Sequence, residues 1–270
     1  MIVKQIKIDF FVTPEIKRYV YVYFVGMENG CILIDSGVAG SESIIEKTIT
    51  ENGYLPSDIK AVFLTHAHPD HIGTADYFRG KYGAKIYASK GEQPWIENID
   101  LQFKKRPIPN FYQVAGQSTI VDHDVKDGDI IYLSGDVNIT VIGTPGHSVD
   151  GVSYRIEDVV FVGDAVPVRG DIPIFVNLVH TKQSLDTLKK LTGVKIYYPA
   201  WDITYPAELM EIKIAEGKEI VNELERTVCE LDDGMELSVL VQMVCDCLHK
   251  PMWKSNPLFA KTVACCRSKK

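Results

Sequence analysis

The sequence predicts an α/β protein with a helical extension at its C-terminal end, and three observations predict it. Short apolar, β-branched runs recur through the first three quarters of the chain, as at Ala61-Val62-Phe63-Leu64 and Val159-Val160-Phe161-Val162. Segments with apolar residues at helical spacing lie among them, as at Ile44, Ile45 and Ile49 and again at Leu185, Leu188 and Leu191. From Ala207 onward only helical patterns remain. With 270 residues, 46% of them hydrophobic and 24% charged, the chain can bury a sizeable core. The expected division is a main domain over 1–204 and a helical extension over 205–270.

At the N-terminus, Met1 to Ile8 alternates as a strand does, with no apolar block or cleavage pattern of an export signal. Tyr19 to Val25 is aromatic and β-branched, Gly26 to Gly30 supplies a turn, and Cys31-Ile32-Leu33-Ile34 returns, so residues 1–37 read as antiparallel strands. Asp35-Ser36-Gly37 ends the last of them. Ser41 is the expected N-cap of a helix that Asn52-Gly53 ends.

The run Ala61 to Leu64 reads as a buried strand, and Thr65-His66-Ala67-His68-Pro69-Asp70-His71 follows directly. Three of the seven histidines and a carboxylate fall within six residues. Imidazoles at i and i+2 of an extended segment point the same way and can grip one metal ion. Pro69 suits a first helical turn, since its missing N–H has no partner there anyway. That turn aims Asp70 and His71 at a neighbouring position, so one string serves two adjacent metal sites. The plain alternative, ordinary surface or core histidines, gives so tight a cluster no packing rationale.

A helix is expected over Gly73 to Tyr82, stopped by Gly83, then a strand at Lys85 to Ala88. Residues 91–118 read as an irregular insertion with Trp95, Phe103, Phe111, Tyr112, Pro107 and Pro109, a candidate wall for a substrate pocket. The bland reading, aromatics pinning a loop to the core, stands beside it. Strands at Asp129 to Leu133 and Val137 to Ile142 lead to Gly143-Thr144-Pro145-Gly146-His147-Ser148, and Val159 to Val162 leads to Gly163-Asp164. Each repeats one device: a strand, a glycine for a tight turn, then a potential ligand. Thr181 to Leu191 is expected as a helix and Lys195 to Tyr198 as the last strand, before Pro199-Ala200-Trp201-Asp202. A helix from Ala207 to about Leu231 and another from about Glu236 to Leu248 close the chain. Cys245, Cys247, His249, Cys265 and Cys266 do not match a standard Cys-x-x-Cys zinc pairing, and core packing is the better account of them.

The His-x-His-x-Asp-His string after a strand resembles the signature of the metallo-β-lactamase superfamily. The Thr-Pro-Gly-His element ending in His147 and the Gly-Asp element ending in Asp164 resemble later elements of that family, in the same order. The resemblance covers about three quarters of the chain and implies an αββα metallo-β-lactamase sandwich. It further implies that His66, His68 and His147 hold a first metal, that Asp70 and His71 hold a second, and that Asp164 bridges them. Asp35 resembles a family aspartate that hydrogen-bonds near a ligand; closing a turn is its plain alternative. Many members offer a final histidine where Trp201 stands, so either Asp202 takes over as a ligand of the second metal or that ligand is missing and Trp201 walls the pocket.

The implied activity is a metal-dependent hydrolase of the hydroxyacylglutathione hydrolase or lactonase kind. It would use a hydroxide activated between two metals on a thioester, ester or lactone, with Asp70 orienting it and passing its proton on. The ions expected are two transition metals, zinc first and iron or manganese next. Alternatives are a one-iron oxidoreductase like the persulfide dioxygenases and a non-catalytic metal-binding member. The net charge of −7 disfavours nucleic acid or an anionic membrane as partner and leaves a small-molecule substrate. A homo-oligomer stays open. No run approaches membrane-span length, and the six cysteines read as reduced thiols, so a cytoplasmic location is expected.

Overall fold

The β-branched and aromatic runs pair into two six-stranded sheets. The structure, a computed structural model, describes residues 1–133 and 137–267; the short basic tail after Arg267 lies outside them. The first sheet orders β1 (Ile2–Thr13), β2 (Ile16–Met27), β3 (Gly30–Ile34), β4 (Ile59–Phe63), β5 (Lys85–Ser89) and β6 (His123–Val125) side by side. Its first three strands are antiparallel, and β3 to β6 run parallel. The second sheet runs from β7 (Ile130–Tyr132) through β8 (Asn138–Gly143), β9 (Val152–Ile156), β10 (Val159–Gly163) and β11 (Ile196–Pro199) to β12 (Tyr205–Pro206). Among the described residues only β10 and β11 pair in parallel there.

Alternation along the strands builds the layers, because successive side chains leave a strand on opposite faces. In β3, Ile32 and Ile34 face the other sheet, while Cys31 and Leu33 pack under the outer helices. In β10, Val159 and Phe161 face inward, and Val160 and Val162 meet the helices of the opposite layer. Phe63, Tyr154 and Phe161, all fully buried, fill the space between the sheets. Burying a side chain of that size contributes about 1.5–3 kcal/mol. Helices α1 (Glu42–Glu51), α2 (Pro69–Ile72) and α3 (Ala75–Tyr82) cover the first sheet, and α7 (Leu178–Lys189) with the start of α8 (Ala207–Leu231) covers the second. The result is the expected αββα sandwich.

Two local expectations are corrected. Residues 91–118 are not irregular: they form α4 (Gln93–Glu97), α5 (Ile99–Lys105) and α6 (Phe111–Ala115). Trp95, Phe103 and Phe111 pack on the core beneath these helices, so the aromatics pin the insertion. Ser41 does precede α1, but its hydroxyl donates to the Val38 carbonyl at 2.6 Å and caps nothing.

The rest of α8, with α9 (Leu237–Cys247) and α10 (Pro257–Cys266), closes around Phe175, which lies between β10 and α7. Leu240, Val241 and Val244 of α9 are buried there. The Thr262 hydroxyl accepts from the Phe175 amide at 3.0 Å and bonds the Phe175 carbonyl at 3.0 Å, tying α10 to the sandwich. Cys245 is buried and Cys247 exposed, so the two do not face one another as a zinc knot requires. No helix among the described residues is long and apolar enough to cross a membrane.

Candidate metal centre

The chemistry gathers at one end of the sandwich, where β4, β8 and β10 all stop. The ends are stitched across the sheets: the Val152 amide donates to the Thr65 carbonyl at 2.9 Å, and the Tyr154 hydroxyl to that of Leu64 at 2.8 Å. Gly163 turns at φ +51°, and a Cβ there would sit 2.7 Å from the Thr65 hydroxyl, so only glycine lets Asp164 swing in beside the histidines. Gly146, at φ +127° against Thr181, does the same for His147.

His66, His68, His147 and Asp164 each offer a ligand atom, and these atoms all lie within 4.8 Å of one another. His147 Nε2 stands 2.9 Å from His68 Nδ1 and 3.2 Å from Asp164 Oδ2. On the other side, His71 Nε2 stands 3.5 Å from Asp164 Oδ1 and 3.8 Å from Asp70 Oδ2. The two oxygens of Asp164 thus face different imidazoles. The compact group nevertheless contains neither Asp70 nor His71, which flank it across Asp164.

The outer nitrogens of three imidazoles are held so that their inner nitrogens stay available. The single proton of the Thr65 hydroxyl goes to Asp35, so that oxygen accepts from His66 Nδ1 at 2.9 Å. His147 Nδ1 donates to the Ile174 carbonyl, and His71 Nδ1 to Asp35 Oδ2, each at 2.8 Å. Such anchoring fixes the tautomer and leaves a lone pair on Nε2 of His66 and His147, and on that of His71 once its second proton is lost. Asp35, at φ +58°, therefore hydrogen-bonds a candidate ligand and does more than close its turn.

His66 Nε2, His68 Nε2, His71 Nε2 and Asp164 Oδ1 are buried with no hydrogen-bond partner. Buried polar atoms are rarely left so, and a cation is the partner this donor set fits. Burial, reinforced by neighbouring cations, holds His66 and His68 well below the usual imidazole pKa, and burial takes His147 down to about 4. All three are neutral at physiological pH, as ligands must be. For His71, burial pulls the same way, but the carboxylates of Asp164, Asp35 and Asp70 outweigh it and raise its pKa. Burial opposes ionisation of Asp164 too, yet His71, His147 and the Trp201 indole keep its pKa low.

Asp202 is corrected as a ligand. Its carboxylate accepts from the Tyr205 hydroxyl at 2.7 Å and its own neighbour's amide, and pairs with Lys213 at 3.2 Å. Trp201 instead turns to the centre and donates its indole N–H to Asp164 Oδ2 at 2.8 Å. Replacing Asp202 with alanine should leave metal stoichiometry unchanged while lowering stability by about 1–3 kcal/mol, as the buried Tyr205 hydroxyl loses its acceptor. Thermal melts beside elemental analysis check both halves; loss of metal would restore Asp202 as a ligand.

Sequence reasoning passed over the groups that hold the dihistidine loop. Ala67 lies between His66 and His68; its amide donates to Glu92 at 3.0 Å and its carbonyl accepts from the Gln102 amide. Glu92 also accepts from the Asp150 amide at 2.9 Å, coupling that loop to the one after His147. Beside the centre opens a cavity of about 490 Å³, with His68, Asp70, His147 and Asp164 in its lining. The insertion does wall it, but through Arg106, Ile108, Pro109 and Val114 and not through its aromatics. Met252 and Leu258 of the extension line it as well.

Comparison with known proteins agrees with this architecture. The family described as the Metallo-beta-lactamase superfamily matches residues 16–218. A probable metallo-hydrolase of Bacillus subtilis is 32% identical over 150 residues, covering 56% of this chain and 64% of its own. A hydroxyacylglutathione hydrolase of Brucella anthropi is 30% identical over 169 residues, 62% of this chain and 55% of its own. A probable polyketide biosynthesis zinc-dependent hydrolase of Bacillus subtilis is 28% identical, covering 54% and 59%. The chain thus spans less than two thirds of the length of these relatives. Among solved structures, a metallo-beta-lactamase family protein of Thermus thermophilus superposes with a TM-score of 0.76 at 20% identity, over 97% of this chain and 91% of that one. A beta-lactamase from Chitinophaga pinensis gives 0.60 at 19%, over 76% and 87%.

Proposed function

Because the chain belongs to the metallo-beta-lactamase superfamily, we propose that it is a metal-dependent hydrolase of a small-molecule thioester, ester or lactone. The observation that carries this reading is the set of three neutral imidazoles and one carboxylate converging beside a cavity. Its size lies within the usual range for small-molecule sites. Relatives named as metallo-hydrolase, zinc-dependent hydrolase and hydroxyacylglutathione hydrolase support it.

In this reading His66, His68, His147 and Asp164 would hold the first ion, zinc before iron or manganese. Asp70 and His71, with Asp164 between the two groups, would hold a second ion. A transition metal there supplies Lewis acidity toward a carbonyl oxygen and lowers the pKa of a water. The protein's own groups orient and relay. Asp70 lines the cavity with its pKa raised by burial, which suits it to take up a proton and pass it to a leaving group. Trp201 steadies Asp164 while its ring walls the cavity.

A one-iron oxidoreductase is the second reading, favoured by the single compact ligand group and by Trp201 at the position of the family's usual histidine. Metal analysis with a panel of thioesters, esters and lactones, run beside oxygen uptake, separates the two. The hydrolase reading expects turnover that a chelator removes and zinc restores. Oxygen consumption by an iron-loaded protein that hydrolyses none of the panel would overturn it.

A further inference from the structure

The cavity holds a cation with nothing to pair with. Arg106 ends α5 and is 4% exposed. Its Nη1 is buried without a hydrogen-bond partner, and among the described residues its guanidinium forms no ion pair. The Trp95 ring lies 6.0 Å from it. A buried, unpaired guanidinium is costly, and such a group asks for an anion.

Candidates within the protein are already engaged. Burial lowers the Arg106 pKa to about 10, and the carboxylates of Asp70, Glu92 and Asp164 oppose that drop from a distance, so it stays charged at neutral pH. Glu92 is committed to the amides of Ala67 and Asp150. Asp70 and Asp164 belong to the metal centre, where an ion takes up their charge. Arg18, the other cation lining the cavity, is paired with Asp171 at 2.7 Å and stacked over Trp201. The remaining wall is largely apolar, with Phe10, Ile16, Val166, Ile172, Ile174 and Leu258.

We propose that Arg106 anchors an anionic group of the substrate, which is an apolar molecule carrying a carboxylate in addition to the bond that is hydrolysed. One spare positive charge suits a monoanion; a phosphate dianion needs a second unpaired cation, and none lines this cavity among the described residues. Arg106 presents the planar fork that a carboxylate matches. The proposal rests on the hydrolase reading for the bond cleaved, but anion binding itself does not.

Two measurements test it on the metal-loaded protein. The first compares kcat/KM for the mono-phenyl ester of adipic acid with its neutral, methyl-capped diester. The second titrates 6-phenoxyhexanoate, its neutral amide and a phosphate-terminated counterpart by calorimetry, with no turnover required. The acid should be preferred in both, and Arg106→Gln should reduce that preference by about 30-fold or more. Arg106→Met serves as a second variant should the glutamine protein fail to fold. No preference for the acid, or one that both variants retain, overturns the anchor while leaving hydrolysis standing. A binding preference without any ester turnover supports the anchor and removes the hydrolase reading. Tighter binding of the phosphate analogue overturns the carboxylate assignment.

Discussion

Alanine at position 68 is expected to strip the protein of its metal and to lower hydrolysis by about 10³-fold. His68 is 5% exposed, and its two ring nitrogens have no role in the packing that a water or hydroxyl fulfils. Nε2 is buried without a partner, and Nδ1 faces His147 Nε2 at 2.9 Å. Removing the ring takes one of three neutral imidazoles from a four-residue group. The charge stabilisation a bound metal offers a transition state is several kcal/mol. At about 1.36 kcal/mol per decade of rate, its loss accounts for the expected factor. His123, His180 and His249 are exposed, and alanine at any of them should leave metal and rate unchanged. Elemental analysis beside kcat/KM reads both effects. A fully metallated His68→Ala protein would break the site assignment.

The same contrast explains what the sequence could reveal. His66 to His71, His147 and Asp164 were legible because each is announced locally, by an apolar strand, a tight turn and a ligand-type side chain. The αββα layering was implied by the resemblance to the metallo-β-lactamase superfamily, whereas the strand and helix patterns alone pointed only to an α/β chain with a helical extension. Glu92 and Gln102 act through contacts set by tertiary packing, which also places Arg106 beside the cavity, and nothing beside these residues in sequence marks that. Glu92, for example, reaches Ala67 across 25 residues. Helices α4 to α6 have five to seven residues each, too short to display a helical period, and Pro107 and Pro109 strengthened the look of a loop. Asp202 misled for a related reason. A carboxylate next to Trp201 has the right chemistry for a ligand, but the turn sends neighbouring side chains to different places. Trp201 reaches the centre, while Asp202 goes to Tyr205 and Lys213.

Asparagine in place of Asp35 is expected to cost about 3–5 kcal/mol of stability, in the range for breaking a buried ion pair, and to weaken metal binding about 10- to 100-fold. The substitution isolates charge and proton placement, because asparagine tolerates the φ of +58° that would strain alanine. Asp35 is 2% exposed, and its oxygens serve the Thr65 amide at 2.8 Å, the Thr65 hydroxyl at 2.9 Å and His71 Nδ1 at 2.8 Å. Asparagine has one acceptor oxygen where the carboxylate has two. If that oxygen keeps the Thr65 amide, the amide N–H₂ faces His71 Nδ1. His71 must then present a lone pair at Nδ1 and carry its proton on Nε2, aimed at Asp70 and Asp164. That tautomer cannot bind a cation through Nε2, so the second metal position should fail before the first. The Thr65 hydroxyl is disturbed less, and His66 keeps its lone pair inward. Metal titration should therefore give one ion bound near native affinity and one weakened, with a melting temperature lower by about 10 °C. Equal weakening of both ions would place Asp35 as a general prop of the loop and not as the keeper of the His71 tautomer.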